Sequence, residues 1–118
     1  MKILVVDDDP KLRKLVARYL QAKGFGVVEA EDGLQGIEAA KKVKFGLIIT
    51  DLNMPVVSGF EVIEAVKETS LNKDTPVIVL TAEDGPTNYG AIYDAGADAY
   101  VAKPVDFERL LGRVLEFV

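Results

Sequence analysis

Three aspartates stand together at Asp7, Asp8 and Asp9, directly after the apolar run Ile3-Leu4-Val5-Val6. Another, Asp51, closes a second apolar run, "FGLIIT". Adjacent like charges repel, and each carries a desolvation cost unless it is paired. A divalent cation among the carboxylates would relieve both penalties. The chain has no cysteine and no histidine. The ligands on offer are therefore hard oxygens, which suit Mg²⁺, or Mn²⁺, better than zinc. Two more polar groups fall at comparable places. Thr81 ends the run "PVIVLT", and Lys103 follows "AYVA". Beside carboxylates, an ammonium such as Lys103 is placed to pair with them or with a bound anion. Asp9 reads differently, as the cap of the helix that follows.

The elements that must position these groups alternate along the chain. "KILVV" is a first strand. Asp9 caps a helix with Pro10 at its first position, and Leu12, Leu15, Val16, Tyr19 and Leu20 follow at helical spacing up to Lys23-Gly24. "FGVVEA" is a second strand, and Asp32 caps a helix carrying Leu34, Ile37 and Val43. "FGLIIT" is the third strand. Ser58 and Glu61 have capping-box spacing and open a helix with Phe60, Ile63 and Val66. "PVIVLT" is the fourth strand, and Gly85-Pro86 precedes a short helix, from Pro86 to Ala95, that stops at Gly96. "AYVA" is the fifth. Asp106 then caps a last helix with Phe107, Leu110, Leu111, Val114 and Leu115 on one face. Strands apolar on both faces and joined by helices predict a parallel sheet covered on both sides, with right-handed crossovers. Ligands of such sheets sit beyond the carboxyl ends of the strands, where the winding reverses. If the strand order is 2-1-3-4-5, that point lies between strands one and three, which are the two that end in aspartate.

At 118 residues the chain can bury a core without staples, and one domain is expected over residues 1–118. Its net charge of −5 argues against direct binding to nucleic acid or to an anionic membrane surface, since both need basic patches. The absence of cysteine and histidine excludes disulfides, thiol chemistry and histidine-based triads. Ile3–Val6 is too short for a signal-peptide core, and no stretch approaches a membrane span, so a cytoplasmic location is expected.

The motifs "VVDDD", "IITDLNMPVVSGFEV", "VIVLTAE" and "DAGADAYVAKP", with a helix after them, run from end to end of the chain. In that order the chain resembles the receiver domain of bacterial two-component response regulators, of which the stand-alone chemotaxis regulator is a compact case. The resemblance implies an α/β, doubly wound, flavodoxin-like fold: a five-stranded parallel sheet of order 2-1-3-4-5 with five helices. It implies that Asp51 accepts a phosphoryl group. Asp8 and Asp51 would ligate Mg²⁺ directly, Asp7 mainly through water, and the backbone carbonyl of Asn53 would add a ligand. Thr81 would hydrogen-bond one phosphoryl oxygen and Lys103 would pair with another. Tyr100 would be the switch aromatic, and Lys103-Pro104 a cis peptide.

The same resemblance implies a phosphorelay switch and not a turnover enzyme, acting only on its own aspartate. The donor would be a sensor histidine kinase, a histidine phosphotransfer protein or a small acyl phosphate. The altered surface would be the fourth helix, fifth strand and fifth helix, where an output domain, a downstream target or a phosphorylation-dependent dimer partner docks. Two other classes share parts of the pattern. A haloacid-dehalogenase-type phosphatase also uses an aspartyl nucleophile with Mg²⁺, but its D-x-D pattern is replaced here by Asp51-Leu52-Asn53. A flavodoxin-type electron carrier would need a phosphate-binding loop after strand one, where three aspartates stand instead.

Overall fold

In a computed structural model of the chain, residues 1–82 and 87–118 are described, Thr87 and Asn88 by backbone alone. Strands and helices alternate: β1 (Lys2–Val6), α1 (Pro10–Ala22), β2 (Gly26–Ala30), α2 (Gly33–Lys42), β3 (Leu47–Asp51), α3 (Gly59–Glu68), β4 (Val77–Ala82), α4 (Thr87–Ala95), β5 (Ala99–Lys103) and α5 (Phe107–Phe117). The strands form one parallel sheet in the order β2-β1-β3-β4-β5, as the resemblance implies. The central strands β1 and β3 are buried almost throughout, which is why they read as unbroken Val/Ile/Leu runs. The fifth strand extends through Lys103 where the run "AYVA" stops at Ala102. Gly85-Pro86, and with it the expected start of the fourth helix at Pro86, lies outside the described residues.

Successive side chains of a strand point to opposite faces of the sheet, and each face carries its own core. Ile3, Val5, Ile49 and Leu80 pack with Val16 and Leu20 of α1 and Leu110 and Val114 of α5. Leu4, Val6, Ile48 and Val79 pack with Ala40 of α2, Val62, Ile63 and Val66 of α3, and Ile92 of α4. The expected caps are present: Asp9, Asp32 and Asp106 accept backbone N–H bonds at their helix starts, and Ser58 with Glu61 forms the capping box. Three apolar helix positions behave otherwise. Leu15, Leu34 and Leu115 are each more than half exposed. Leu15 lies about 100° round the helix from Val16. The buried stripe of α1 is Arg13, Val16, Ala17 and Leu20, and it leaves Leu15 on the flank. Among the described residues, no helix is long and apolar enough to cross a membrane.

The end of the sheet opposite the aspartates is tied by one side chain. Asn72, fully buried, donates from Nδ2 to the carbonyls of Ala40 (2.6 Å) and Val43 (2.8 Å). Its Oδ1 accepts from the Phe45 N–H (2.9 Å) and the Thr75 hydroxyl (3.0 Å). A buried amide with both ends satisfied fixes the loops it joins, here those entering β3 and β4.

Candidate functional site

The carboxyl ends of β1, β3 and β5 bring Asp7, Asp51 and Lys103 together. Asp51 is the last residue of β3 and is nearly inaccessible to water. Its Oδ1 accepts from the Lys103 ammonium at 2.9 Å and from the Leu52 N–H at 3.0 Å. Gly59, the first residue of α3, lies against the Asp51 backbone: a Cβ there would collide with the Asp51 carbonyl oxygen and come within 2.7 Å of Leu52 Cα. Any larger residue would push α3 away from the strand end that carries Asp51.

Asp7 follows β1 and is fully buried. Its N–H donates to the Ala30 carbonyl (3.2 Å), and its Oδ1 accepts from the Asp9 N–H (2.9 Å). Its Oδ2 is a buried atom without a hydrogen-bond partner, 3.9 Å from the Lys103 ammonium. Asp8 is exposed at the mouth of the site. Carboxylate oxygens of Asp7, Asp8 and Asp51 all lie within 4.8 Å of one another. That donor set fits a hard divalent cation: the ligands are oxygens only, and one buried oxygen is orphaned. The electrostatics agree. Burial pushes the Asp7 carboxyl up from 3.8 to about 6, the Asp9 N–H bond opposes the rise, and the Asp51 charge adds to it. Asp51 is also raised, by burial above all; the hydrogen bond and charge of Lys103 hold it down, while Asp8 pushes it up.

A pH dependence follows for the metal-free protein. Folded Asp7 keeps its proton up to about pH 6, whereas the unfolded chain releases it near 3.8. Between these values the folded state binds more protons, so this group's contribution to stability falls as pH rises. Asp7→Asn, which has no proton to lose, is the reference. In EDTA, the stability gap favouring Asp7→Asn over wild type should widen by up to about 3 kcal/mol from pH 4 to pH 7 in urea titrations. A gap independent of pH would assign Asp7 an ordinary carboxyl pKa.

The other expected residues fall as follows. Thr81 is buried on β4, one step beyond Leu80, the register partner of Asp51. Its hydroxyl makes one long bond, to the Ala82 carbonyl at 3.4 Å. Asn53 is exposed in the segment between β3 and α3. In that segment Val56 has φ 69° and the Val57 N–H donates to Pro55 O at 2.8 Å, a γ-turn that strains a β-branched residue. Lys103-Pro104 is cis. Tyr100 stands apart from the acids. Its ring stacks on Tyr89, with centroids 4.3 Å apart, and meets the edge of Tyr93 at 6.1 Å. Val79 is the register partner of Tyr100, and Thr81 is two residues on from Val79, so Thr81 and Tyr100 share one face of the sheet. Arg13 was given no role by spacing, yet its guanidinium donates to the Asp7 carbonyl (3.0 Å) and to Glu29 (3.0 Å). Its signal was a cation on the apolar stripe of α1.

Comparison with known proteins agrees with this geometry. A family model described as the response regulator receiver domain matches residues 3–115. A DNA-binding dual master transcriptional regulator, RpaA, of Synechocystis is 38% identical over 113 residues, covering 96% of this chain and 47% of that protein. The response regulator MprA of Mycobacterium leprae is 38% identical over 114 residues, covering 97% and 49%. The chain thus spans about half the length of the curated relatives it matches. Among solved structures, the Vibrio cholerae chemotaxis protein CheY4 superposes with a TM-score of 0.93 at 38% identity, covering 99% of this chain and 98% of that one. The receiver domain of the Pseudomonas aeruginosa sensor histidine kinase PA1611 superposes at 0.90 with 25% identity, over 98% and 95% of the two chains. That structure has a magnesium ion coordinated in its active-site cleft.

Proposed function

The chain belongs to the response regulator receiver domain family, whose members are the phosphoacceptor switches of two-component signalling, and on that premise we propose that Asp51 is the residue phosphorylated. The observation that carries this assignment is the Lys103 ammonium held 2.9 Å from the Asp51 carboxylate, inside a cluster of three acids. Residues 1–118 then act as one receiver domain.

Asp7, Asp8 and Asp51, with the carbonyl of Asn53, would hold Mg²⁺, for which Mn²⁺ can substitute. When bound, the ion supplies positive charge that keeps the carboxylates ionised and screens the phosphoryl oxygens. The chain's own groups do the rest. An oxygen of Asp51 attacks phosphorus, and the donor's imidazole nitrogen or acyl oxygen departs with the bonding pair. Lys103 stays in place: its ammonium exchanges a carboxylate oxygen for a phosphoryl oxygen and neutralises charge where it gathers. The product is an acyl phosphate that water can hydrolyse, so the domain catalyses its own phosphorylation and dephosphorylation without turning over a substrate. The donor is a sensor histidine kinase or a histidine phosphotransfer protein, in the cytoplasm.

Readout runs through Thr81 and Tyr100. The hydroxyl of Thr81 gives up its long bond to Ala82 for a phosphoryl oxygen and vacates space on the face it shares with Tyr100. Tyr100 then leaves its stack on Tyr89, changing the surface of α4, β5 and α5. An output domain, another downstream target or a second copy of the chain docks there, without direct nucleic-acid contact by this domain.

Incubation with acetyl phosphate and Mg²⁺ should add one phosphoryl group by intact mass, and EDTA should prevent it. Titration with beryllofluoride, followed by amide NMR, should shift α4 and Tyr100 as well as the residues around Asp51. Shifts confined to the Asp51 neighbourhood would rule out this relay.

A further inference from the structure

We infer that Arg13 is a positioning residue for the acid cluster, acting through the backbone of Asp7. The inference rests on the reading of that cluster as a cation site. Arg13 projects from the second turn of α1 and is buried, on the same stripe as Val16, Ala17 and Leu20. A buried guanidinium is tolerated only when its donors are paired. The fork of Arg13 is paired in two directions. Nε donates to Glu29 Oε1 on β2 at 3.0 Å, and Nη1 donates to the Asp7 carbonyl at 3.0 Å. The Asp7 N–H meanwhile donates to the carbonyl of Ala30, the next residue of β2. Both backbone polar groups of Asp7 are therefore referred to one strand, the N–H directly and the carbonyl through Arg13 and Glu29.

This bracing reaches the ligands by covalent geometry. The Asp7 carbonyl lies in the planar peptide that joins Asp7 to Asp8, so holding its oxygen fixes where the Asp8 backbone starts. The Asp9 N–H holds Asp7 Oδ1, which leaves Oδ2 as the Asp7 oxygen without a hydrogen bond, and a carboxylate oxygen of Asp7 lies within 4.8 Å of oxygens of Asp8 and Asp51. Residues that orient metal ligands from behind characteristically act on affinity in this way, and losing one costs about tenfold or more.

The sign of the effect separates positioning from charge. Deleting a cation beside a cation site tightens metal binding if charge alone matters; deleting a brace weakens it. Mg²⁺ affinity is to be measured by calorimetry on the whole chain, and melting in EDTA on the same proteins. Arg13→Met should weaken Mg²⁺ binding about tenfold, although it removes a positive charge. Arg13→Lys keeps the charge, but a single ammonium cannot span both partners, so it should recover only part of the affinity. Val114→Ala, on the buried face of α5, should lower the melting temperature and leave the Mg²⁺ affinity unchanged. Equal or tighter Mg²⁺ binding by Arg13→Met overturns the inference while wild-type binding leaves the cation site standing. Absence of Mg²⁺ binding by wild type overturns both. Should Arg13→Met fail to fold, Arg13→Lys decides alone: affinity equal to wild type overturns the proposal, and weaker affinity at equal charge bears it out.

Discussion

Asp51→Asn should accept no phosphoryl group from acetyl phosphate, under conditions where wild type gains one. The expected loss is at least roughly a thousandfold, the scale on which removing a nucleophile acts. The amide keeps the shape of the carboxylate and can still accept from Lys103 and from the Leu52 N–H, the two bonds that hold Asp51 Oδ1. What it lacks is an anionic oxygen pair able to attack phosphorus. The fold should therefore survive, with an unchanged circular dichroism spectrum, and the lesion should be chemical. The variant also asks whether a neighbouring acid can substitute. Asp7 is fully buried, with one oxygen bonded to the Asp9 N–H. Asp8 is exposed and free of that constraint, but it lacks the 2.9 Å ammonium that Asp51 has. Intact mass and peptide mapping would report either route. A full phosphoryl increment on Asp51→Asn would remove Asp51 from its central role.

The strand ends were legible because a parallel sheet makes them so. Once "KILVV", "FGLIIT", "PVIVLT" and "AYVA" are parallel strands, Asp7, Asp51, Thr81 and Lys103 must emerge at one edge, whatever the helices do. The caps were legible for a similar reason, since Asp9, Asp32, Ser58 and Asp106 act on N–H groups two or three residues away. Periodicity was less informative about width. It marks the apolar side of α1, α2 and α5, but not how far the neighbours reach round, and so Leu15, Leu34 and Leu115 turned out exposed. Long-range polar pairing left hardly any trace. Asn72 sits in "SLNKDT", which reads as an ordinary turn, yet it joins groups 27 to 32 residues away. Arg13 bonds Glu29 across 16 residues. The γ-turn at Val56 was likewise invisible, because a β-branched residue is a poor choice for positive φ.

Asp8→Asn should stabilise the metal-free protein and blunt its stabilisation by Mg²⁺. Oxygens of Asp7, Asp8 and Asp51 lie within 4.8 Å of one another, and the Asp8 charge is one of the causes that raise both neighbours. Removing it relieves repulsion worth about 1 kcal/mol for each close carboxylate in high-dielectric surroundings. Asp8 is exposed, so the change opens no cavity and strands no buried partner. In EDTA at neutral pH and low salt the variant should therefore melt above wild type. Mg²⁺ acts in the opposite direction. A ligand that binds only the folded state stabilises by RT ln(1 + [L]/Kd), about 2.7 kcal/mol at a hundredfold excess over Kd. Loss of one charged oxygen ligand should weaken Mg²⁺ by at least about tenfold, since ligand charge count sets the affinity of such sites. At a Mg²⁺ concentration a hundred times the wild-type Kd, the variant then gains at most about 1.4 kcal/mol where wild type gains about 2.7. The advantage in EDTA should shrink and, as affinity falls further, invert. Salt should narrow the EDTA gap, because exposed charge is screened within about a Debye length. Melting curves of both proteins in EDTA and across a Mg²⁺ series would test this. If wild type and Asp8→Asn respond equally to Mg²⁺, the ion does not bind among these carboxylates.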